Sequence, residues 1–266
     1  MASCATPGAV PKTAQKELAL EARTVLEGLE AGKYSGLAAS MDGRIFLAER
    51  GGWRLRGFIP DAGGRFELSL PSARCLVAGG LVQGFCVVDL VDRQFIRYDQ
   101  NGGPAFSAGI EGHGAASFWL APSGESLFLD ADAGAVVFRD QGFRETRRWQ
   151  LRGAGRPQAL AADLLEGLVA VAYPGGGRLD TYSVLGSQLD SRPMPLAPGP
   201  QTLAFDSRGL LWTAGEDGRA SCFLFSGRKW IEAGSAQVPA LCALAPGLRN
   251  GVLALGGEMV VELKGE

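Results

Sequence analysis

The chain has 266 residues, 46% of them apolar and 20% charged, with a formal net charge of −2. That length buries a sizeable core without staples, the composition excludes a disordered chain, and the charge excludes a binder held to nucleic acid through its phosphates. The 39 glycines and 14 prolines, with few apolar periods at helical spacing, point to many short strands joined by tight turns.

No stretch approaches the ~18–20 continuous apolar residues of a helical membrane span. The N-terminal MASCATPGAVPKTAQK carries neither the basic nor the apolar region of a secretory signal. Met1-Ala2-Ser3 reads as a cloning remnant, after which Cys4, followed by small residues and proline, resembles the first residue of a mature bacterial lipoprotein. That resemblance implies lipidation at Cys4, a periplasmic or cell-surface location, and membrane contact only through the anchor. The alternative is a cytoplasmic N-terminus that happens to contain a cysteine. Residues 1–15 are expected to form a flexible tether, of which 5–15 span at most ~35–40 Å when extended, and 16–266 a single domain.

Residues 16–26, KELALEARTVL, alternate apolar and polar side chains as a strand does, although Leu18, Val25, Leu26 and Leu29 also fall near one helical stripe. From residue 34 onward the chain repeats itself. A turn glycine immediately before an aliphatic run recurs at Gly43, Gly84, Gly124, Gly167, Gly209 and Gly251, at intervals of 41, 40, 43, 42 and 42 residues. Each unit parses into four short strands, A to D; in the fifth they fall near 201–206, 210–215, 220–226 and 229–237. Strand B is nearly all apolar in every unit, as in FCVVDL and LVAVAY, which is the pattern of a strand covered on both faces. Strand D alternates and carries charge, as in RFELSL and FRETRRWQ.

A four-stranded sheet with a period of ~40–45 residues, covered on both sides, is a propeller blade. The predicted fold is all-β, a six-bladed β-propeller of antiparallel blades near 34–72, 73–114, 115–156, 157–199, 200–238 and 239–266. The last unit lacks a strand D, and residues 16–28 are expected to supply it, removing an unpaired sheet edge at the seam.

The stretches PQTLAFDSRGLLWTAGEDGRASCFLFSG (200–227) and SGLAASMDGRIFLAERGGWRLRGF (35–58) resemble the NHL type of propeller repeat, with a proline-led A strand, an aspartate–glycine-like turn and an aliphatic B strand. The gluconolactonase and senescence-marker group of six-bladed propellers is similar in this respect. Resemblance to that group implies a divalent metal at the channel mouth, held by a glutamate, an aspartate and asparagines. This sequence has two asparagines: Asn101 in a C–D turn, and Asn250 in an A–B turn at the opposite mouth.

In a propeller the B–C and D–A connections gather at one mouth, and function is usually grafted on loops. The B–C set offers Glu49, Arg50, Asp89, Asp92, Arg93, Asp130, Asp132, Tyr173, Arg178, Glu216 and Asp217; the D–A set offers Tyr34, Arg74, Glu111, His113 and Arg156. Such a mixed ring suits a charged peptide through arginine forks, a small-molecule ligand, or a divalent cation on Glu49, Asp89 or Glu216. The plainer alternative is mutual neutralisation and turn capping. His113, the single histidine, is either a general base or a solvated loop residue. YPGGGRL (173–179) is an anion cradle or a flexible turn.

The remaining cysteines, Cys75, Cys86, Cys222 and Cys242, lack metal-ligand spacing and read as core thiols, with a Cys75–Cys86 bridge in one hairpin as the alternative. Trp53, Trp119, Trp212 and Trp230 are expected to pack between blades. The arginines of 138–152, FRDQGFRETRRWQLR, suit either a docking surface or the protection of an outer edge. No hydrolase or nucleotide-loop signature occurs. The expected function is a non-enzymatic binding or scaffolding module for a protein or peptide, without a resident cofactor, and the alternative is a lactonase-like, metal-dependent hydrolase working at the mouth.

Overall fold

The computed structural model describes residues 20–59, 63–79, 84–111, 114–153, 155–247 and 250–265. Cys4, the proposed tether and His113 lie outside these residues. The described chain opens on β1 (Leu20–Leu26) and then runs as a meander of hairpins. The first blade holds β2 (Tyr34–Ala39), β3 (Ile45–Glu49), β4 (Arg54–Ile59) and β5 (Gly64–Ser69). The second holds β6 (Cys75–Ala78), β7 (Phe85–Asp89), β8 (Gln94–Tyr98) and β9 (Pro104–Gly109). The third holds β10 (Ala115–Leu120), β11 (Ser126–Asp130), β12 (Ala135–Arg139) and β13 (Glu145–Gln150). The fourth holds β14 (Ala159–Asp163), β15 (Leu168–Tyr173), β16 (Arg178–Ser183) and β17 (Gln188–Pro193). The fifth holds β18 (Leu203–Phe205), β19 (Leu211–Ala214), β20 (Arg219–Ser226) and β21 (Lys229–Gln237). The sixth begins with β22 (Ala243–Pro246), β23 (Gly251–Leu255) and β24 (Val260–Gly265).

Six four-stranded antiparallel sheets result, and the sixth is completed by β1 in the order β1-β24-β23-β22. β1 pairs along β24 from Leu20 opposite Gly265 to Leu26 opposite Val260. The stretch that also fitted a helical stripe is therefore a strand. Val25, Leu26 and Leu29 pack on the core between the sixth and first blades, a gain in apolar burial that local helix propensity cannot offset.

The second strands owe their near-continuous apolar runs to cover on both faces: every residue of β7, β11, β15 and β23 is buried. Side chains alternate between the two neighbouring blades. In β15, Leu168, Ala170 and Ala172 join the cluster facing the fifth blade, while Val169, Val171 and Tyr173 join the one facing the third. Aromatic rings fill the gaps between blades, with Phe46 beside Phe85 at 4.3 Å between the first two blades and Phe95 stacked on Phe143 at 4.0 Å between the next two.

Five of the six marker glycines hold the positive φ that their A–B turns require, from 69° at Gly167 to 96° at Gly43 and Gly84. In the sixth turn Asn250 takes the left-handed role, with φ 55°. Asn101 lies in the C–D turn of the second blade, where its backbone N–H donates to Asp99 Oδ1 (2.8 Å).

Two expectations need correction. Trp212 and Trp230 are buried between blades, but Trp53 is 60% exposed, because it sits in the β3–β4 turn beyond the end of the sheet. A Cys75–Cys86 bridge is excluded by register: Cys75 pairs with Asp89, whereas Cys86 pairs with Ala78, and all four described cysteines are free thiols. Cys86 and Cys222 are fully buried, and Cys75 and Cys242 only half-buried.

Candidate functional site

The innermost strands β2, β6, β10, β14, β18 and β22 ring the axis. Their N-terminal ends, with the B–C and D–A connections, form what is here termed the upper mouth. The β17–β18 connection, residues 194–202, is rich in proline and anchored by buried Met194, Leu196 and Ala197. Ala197 N donates to Ala214 O (2.8 Å), and Gly199, with φ 140°, turns the chain inward. That turn delivers Gln201 across the channel. Its Nε2 donates to Leu37 O (2.7 Å) and Val77 O (2.8 Å), and its Oε1 accepts from Leu37 N (2.9 Å).

Neighbouring bonds complete the clasp. Leu244 N donates to Gln201 O (2.6 Å), Ser117 Oγ donates to Pro200 O (2.7 Å), and Leu160 N donates to Ser117 Oγ (3.2 Å). One turn thus ties β2, β6, β10, β14 and β22 to its own strand β18. Apolar side chains, among them Leu37, Phe118, Trp119, Leu203 and Leu244, line the remaining cavity of about 40 Å³. That is room for only a few water molecules.

The acids expected at the upper mouth do not converge. Glu49, Asp89, Asp130, Asp132 and Asp217 are each engaged by groups of their own blade or the link beside it. Glu49 Oε1 lies 3.7 Å from both Lys33 Nζ and Arg56 Nη2. Asp89 is fully buried, and its Oδ1 accepts from Ser72 Oγ (2.6 Å), Val91 N (2.8 Å) and Asp92 N (3.3 Å). Asp130 accepts from Ala133 N (3.0 Å), and Asp132 pairs with Arg156 (2.8 Å). Asp217 accepts from Arg219 N (3.0 Å), while Glu216 is exposed, as are Arg50 and Asp92.

Tyr173 and Arg178 do meet, the guanidinium lying 4.0 Å from the ring centroid. Arg178 Nε also sits 3.0 Å from Oδ1 of the fully buried Asp180, which accepts from Ser191 Oγ (2.7 Å) and Tyr182 Oη (3.3 Å). Burial pushes the Tyr173 and Tyr182 hydroxyls above the ordinary phenol range. The backbone of Gly153 covers this cluster so closely that a Cβ there would collide with Arg178 Nη2. The triple-glycine run beside it forms a single 3₁₀ turn, Pro174–Gly176, and not a helix that could cradle an anion.

Among the described residues, no three acids, cysteines or histidines come together as cation ligands. The donors that a gluconolactonase-type metal would need are divided between turn caps and ion pairs, and Asn250 stands at the opposite mouth, where it accepts from Ser207 Oγ (2.7 Å). The residues present do not fit that metal.

Sequence reasoning missed Gln201, Ser117 and Asp180. Asp180 had a signal, as the one carboxylate inside the strand RLDTYS. Gln201 had a weaker one, following the Pro-Gly-Pro that opens the fifth unit.

At the lower edge several A–B and C–D turns are likewise capped by their own aspartates: Asp99 accepts from Asn101 N and Gly103 N, Asp140 from Arg144 N, and Asp163 from Leu165 N and Glu166 N. Buried Asp206 accepts from Arg208 N (2.9 Å), Leu210 N (3.1 Å) and Trp212 Nε1 (3.2 Å).

No protein-family model matches the chain, and no curated protein matches it in sequence. Solved structures do. A gluconolactonase from Xanthomonas campestris superposes with a TM-score of 0.68 at 16% identity, covering 100% of this chain and 96% of that one. A streptogramin B lyase gives 0.64 at 11% identity, covering 96% and 100%. A chain of a mitotic checkpoint complex gives 0.63 at 8% identity, covering 99% and 96%. At such identities the likeness is one of fold alone. The chain is a six-bladed β-propeller with the architecture of gluconolactonase and streptogramin B lyase, its central channel crossed by Gln201.

Proposed function

We propose that this chain is a non-enzymatic binding or scaffolding propeller that docks a protein or peptide partner on its upper loop face. The observation that carries this reading is the Gln201 clasp. It occupies the place where channel chemistry would need space, leaving the loops around it as the surface on which recognition can be built. The upper loops themselves support the choice of that face. Among the upper connections, those at 27–33 and 194–202 run to seven and nine residues, and Arg50, Asp92 and Glu216 stand exposed on the upper rim.

The proposal includes an envelope location through a lipid on Cys4, which rests on the N-terminal sequence. A Cys4→Ser variant of the chain carrying its natural leader should leave the membrane fraction.

Photocrosslinking in the native host tests the docking face. A photoreactive residue at Asp92 or Glu216, on the upper rim, should capture a discrete partner, and one at Met41 or Glu125, in lower turns, should not. Crosslinks confined to the lower positions would overturn the reading. So would lactone turnover that requires a stoichiometric divalent cation and disappears in Glu49→Gln or Asp89→Asn.

A further inference from the structure

We infer that the docking sector is the upper rim of the first and second blades, and that its occupant is an acidic peptide segment bearing an apolar anchor residue. This rests on the loop-face reading above and makes it specific.

Apolar exposure and unmatched positive charge coincide in this sector. Trp53 is 60% and Val91 57% exposed, both in B–C turns of adjacent blades. A continuous run of backbone connects them: Leu70 N donates to Trp53 O (2.6 Å), and Arg74 O, at the end of the same short link, accepts from Leu90 N (2.9 Å). Val91 is fixed in turn by the bond from its N–H to buried Asp89. Both apolar side chains therefore stand on rigid turns, so presenting them to a partner costs little ordering entropy.

Arginines outnumber the exposed acids around them, Asp92 and, at the far end of the second blade, Glu111. Arg50, Arg74 and Arg93 are exposed, and none forms an ion pair with another described residue. Glu49 is already flanked by Lys33 and Arg56, and Arg54 by Glu67. Asp92 is the one exposed acid in these two turns. Across the ring, the fifth blade shows the opposite balance, with Glu216 and Asp217 exposed and Arg219 held by Glu232 (2.9 Å).

A tryptophan beside several arginines is the composition of an interface hot spot, and guanidinium groups match carboxylates by paired hydrogen bonds. An acidic segment laid on this sector gains those bonds while avoiding the fifth blade. A flat anionic bilayer cannot be so selective, because it would meet Glu216 and Asp217 on the same face.

The test is selection of a random-sequence peptide display library on the full chain, followed by fluorescence anisotropy of the enriched peptides. Enriched peptides should carry several Asp or Glu residues around one aromatic or aliphatic residue. Trp53→Ala should weaken them about tenfold or more, and Arg74→Glu with Arg93→Glu should abolish binding. Affinity should fall several-fold on raising salt from about 50 to 300 mM. All three side chains are exposed, so melting temperatures should not move.

Basic peptides lost with Glu216→Lys would overturn this sector while leaving the loop-face reading intact. No enrichment, or peptides indifferent to every upper-rim variant, would overturn both. Trp53-dependent binding of phosphatidylglycerol vesicles in place of peptides would overturn the choice of occupant.

Discussion

Gln201 is the residue whose chemistry most constrains the molecule, since one amide satisfies two carbonyls and one N–H on two strands across the axis. Replacing it by Glu keeps the shape and removes the donor, setting oxygen against Leu37 O and Val77 O. A buried acceptor left without its donor costs about 1–3 kcal/mol, and two are affected, so Gln201→Glu should lower the melting temperature by about 5–10 °C at pH 7. The loss should shrink as pH falls, starting above the ordinary glutamate range, because the facing carbonyls and burial favour the protonated acid, which can donate again to one of them. Melts at pH 7 and in acid check this, and equal losses would show that only packing matters.

The buried thiols and phenols give a second handle. Burial raises Cys222 from the ordinary 9.0 to about 11, and pushes Cys86, Tyr98, Tyr173 and Tyr182 upward as well. A folded-state pKa above the unfolded one means that the unfolded chain loses its proton first as pH rises. Stability from Cys222 is therefore full below pH 9 and is lost between 9 and about 11, at ~1.4 kcal/mol per unit. Denaturant midpoints should be flat from pH 7 to 9 and fall steadily above; Cys222→Ala should soften the first part of that fall. A flat profile to pH 11 would contradict the burial of these groups.

At the scale of the strand, the sequence pattern was sufficient wherever burial dictated it. Apolar runs such as FCVVD and LVAVAY could serve only as strands covered on both faces, and the structure buries them completely. The Arg-rich β13 illustrates outer-edge chemistry: Arg148 is held by Glu145 through two bonds of 3.0 and 2.8 Å, and Arg147 donates to Val184 O and lies over Phe138. These arginines protect and brace an edge.

β1 was legible because its alternation agreed with a missing partner elsewhere, although its own propensity was divided. Removing residues 1–28 should strip the ladder along β24 and uncover the packing of Val25, Leu26 and Leu29, dropping the melt by about 10 °C or more. A synthetic peptide of residues 18–28 added in trans should recover part of the loss. An unchanged melt after truncation would contradict the closure.

At the scale of the whole ring, the six-fold repeat was readable from glycine spacing, but the mouth was not. Positions at the ends of second strands were foreseeable, so Glu49, Asp89 and Asp130 fall in equivalent places. What they touch was not, because the same strand-end position is met by Lys33 and Arg56 at Glu49, by Ser72 and turn N–H groups at Asp89, and by a turn N–H at Asp130. Gln201 shows the same limit: its partners Leu37 and Val77 lie 164 and 124 residues away. Trp53 failed the expectation of burial because a turn residue one step past the strand has no neighbouring blade to enter. The upper rim thereby carries exposed arginines without ion-pair partners among the described residues on the first and second blades, and exposed Glu216 and Asp217 on the fifth.

The pairing of β1 with β24 has a consequence for synthesis. β24 leaves the ribosome more than two hundred residues after β1, so β1 must wait that long for its partner. Until then both seam edges stay exposed in the nascent chain, open to chaperones and proteases alike. A product cut short before β24 leaves β1 without its ladder and the ring unclosed.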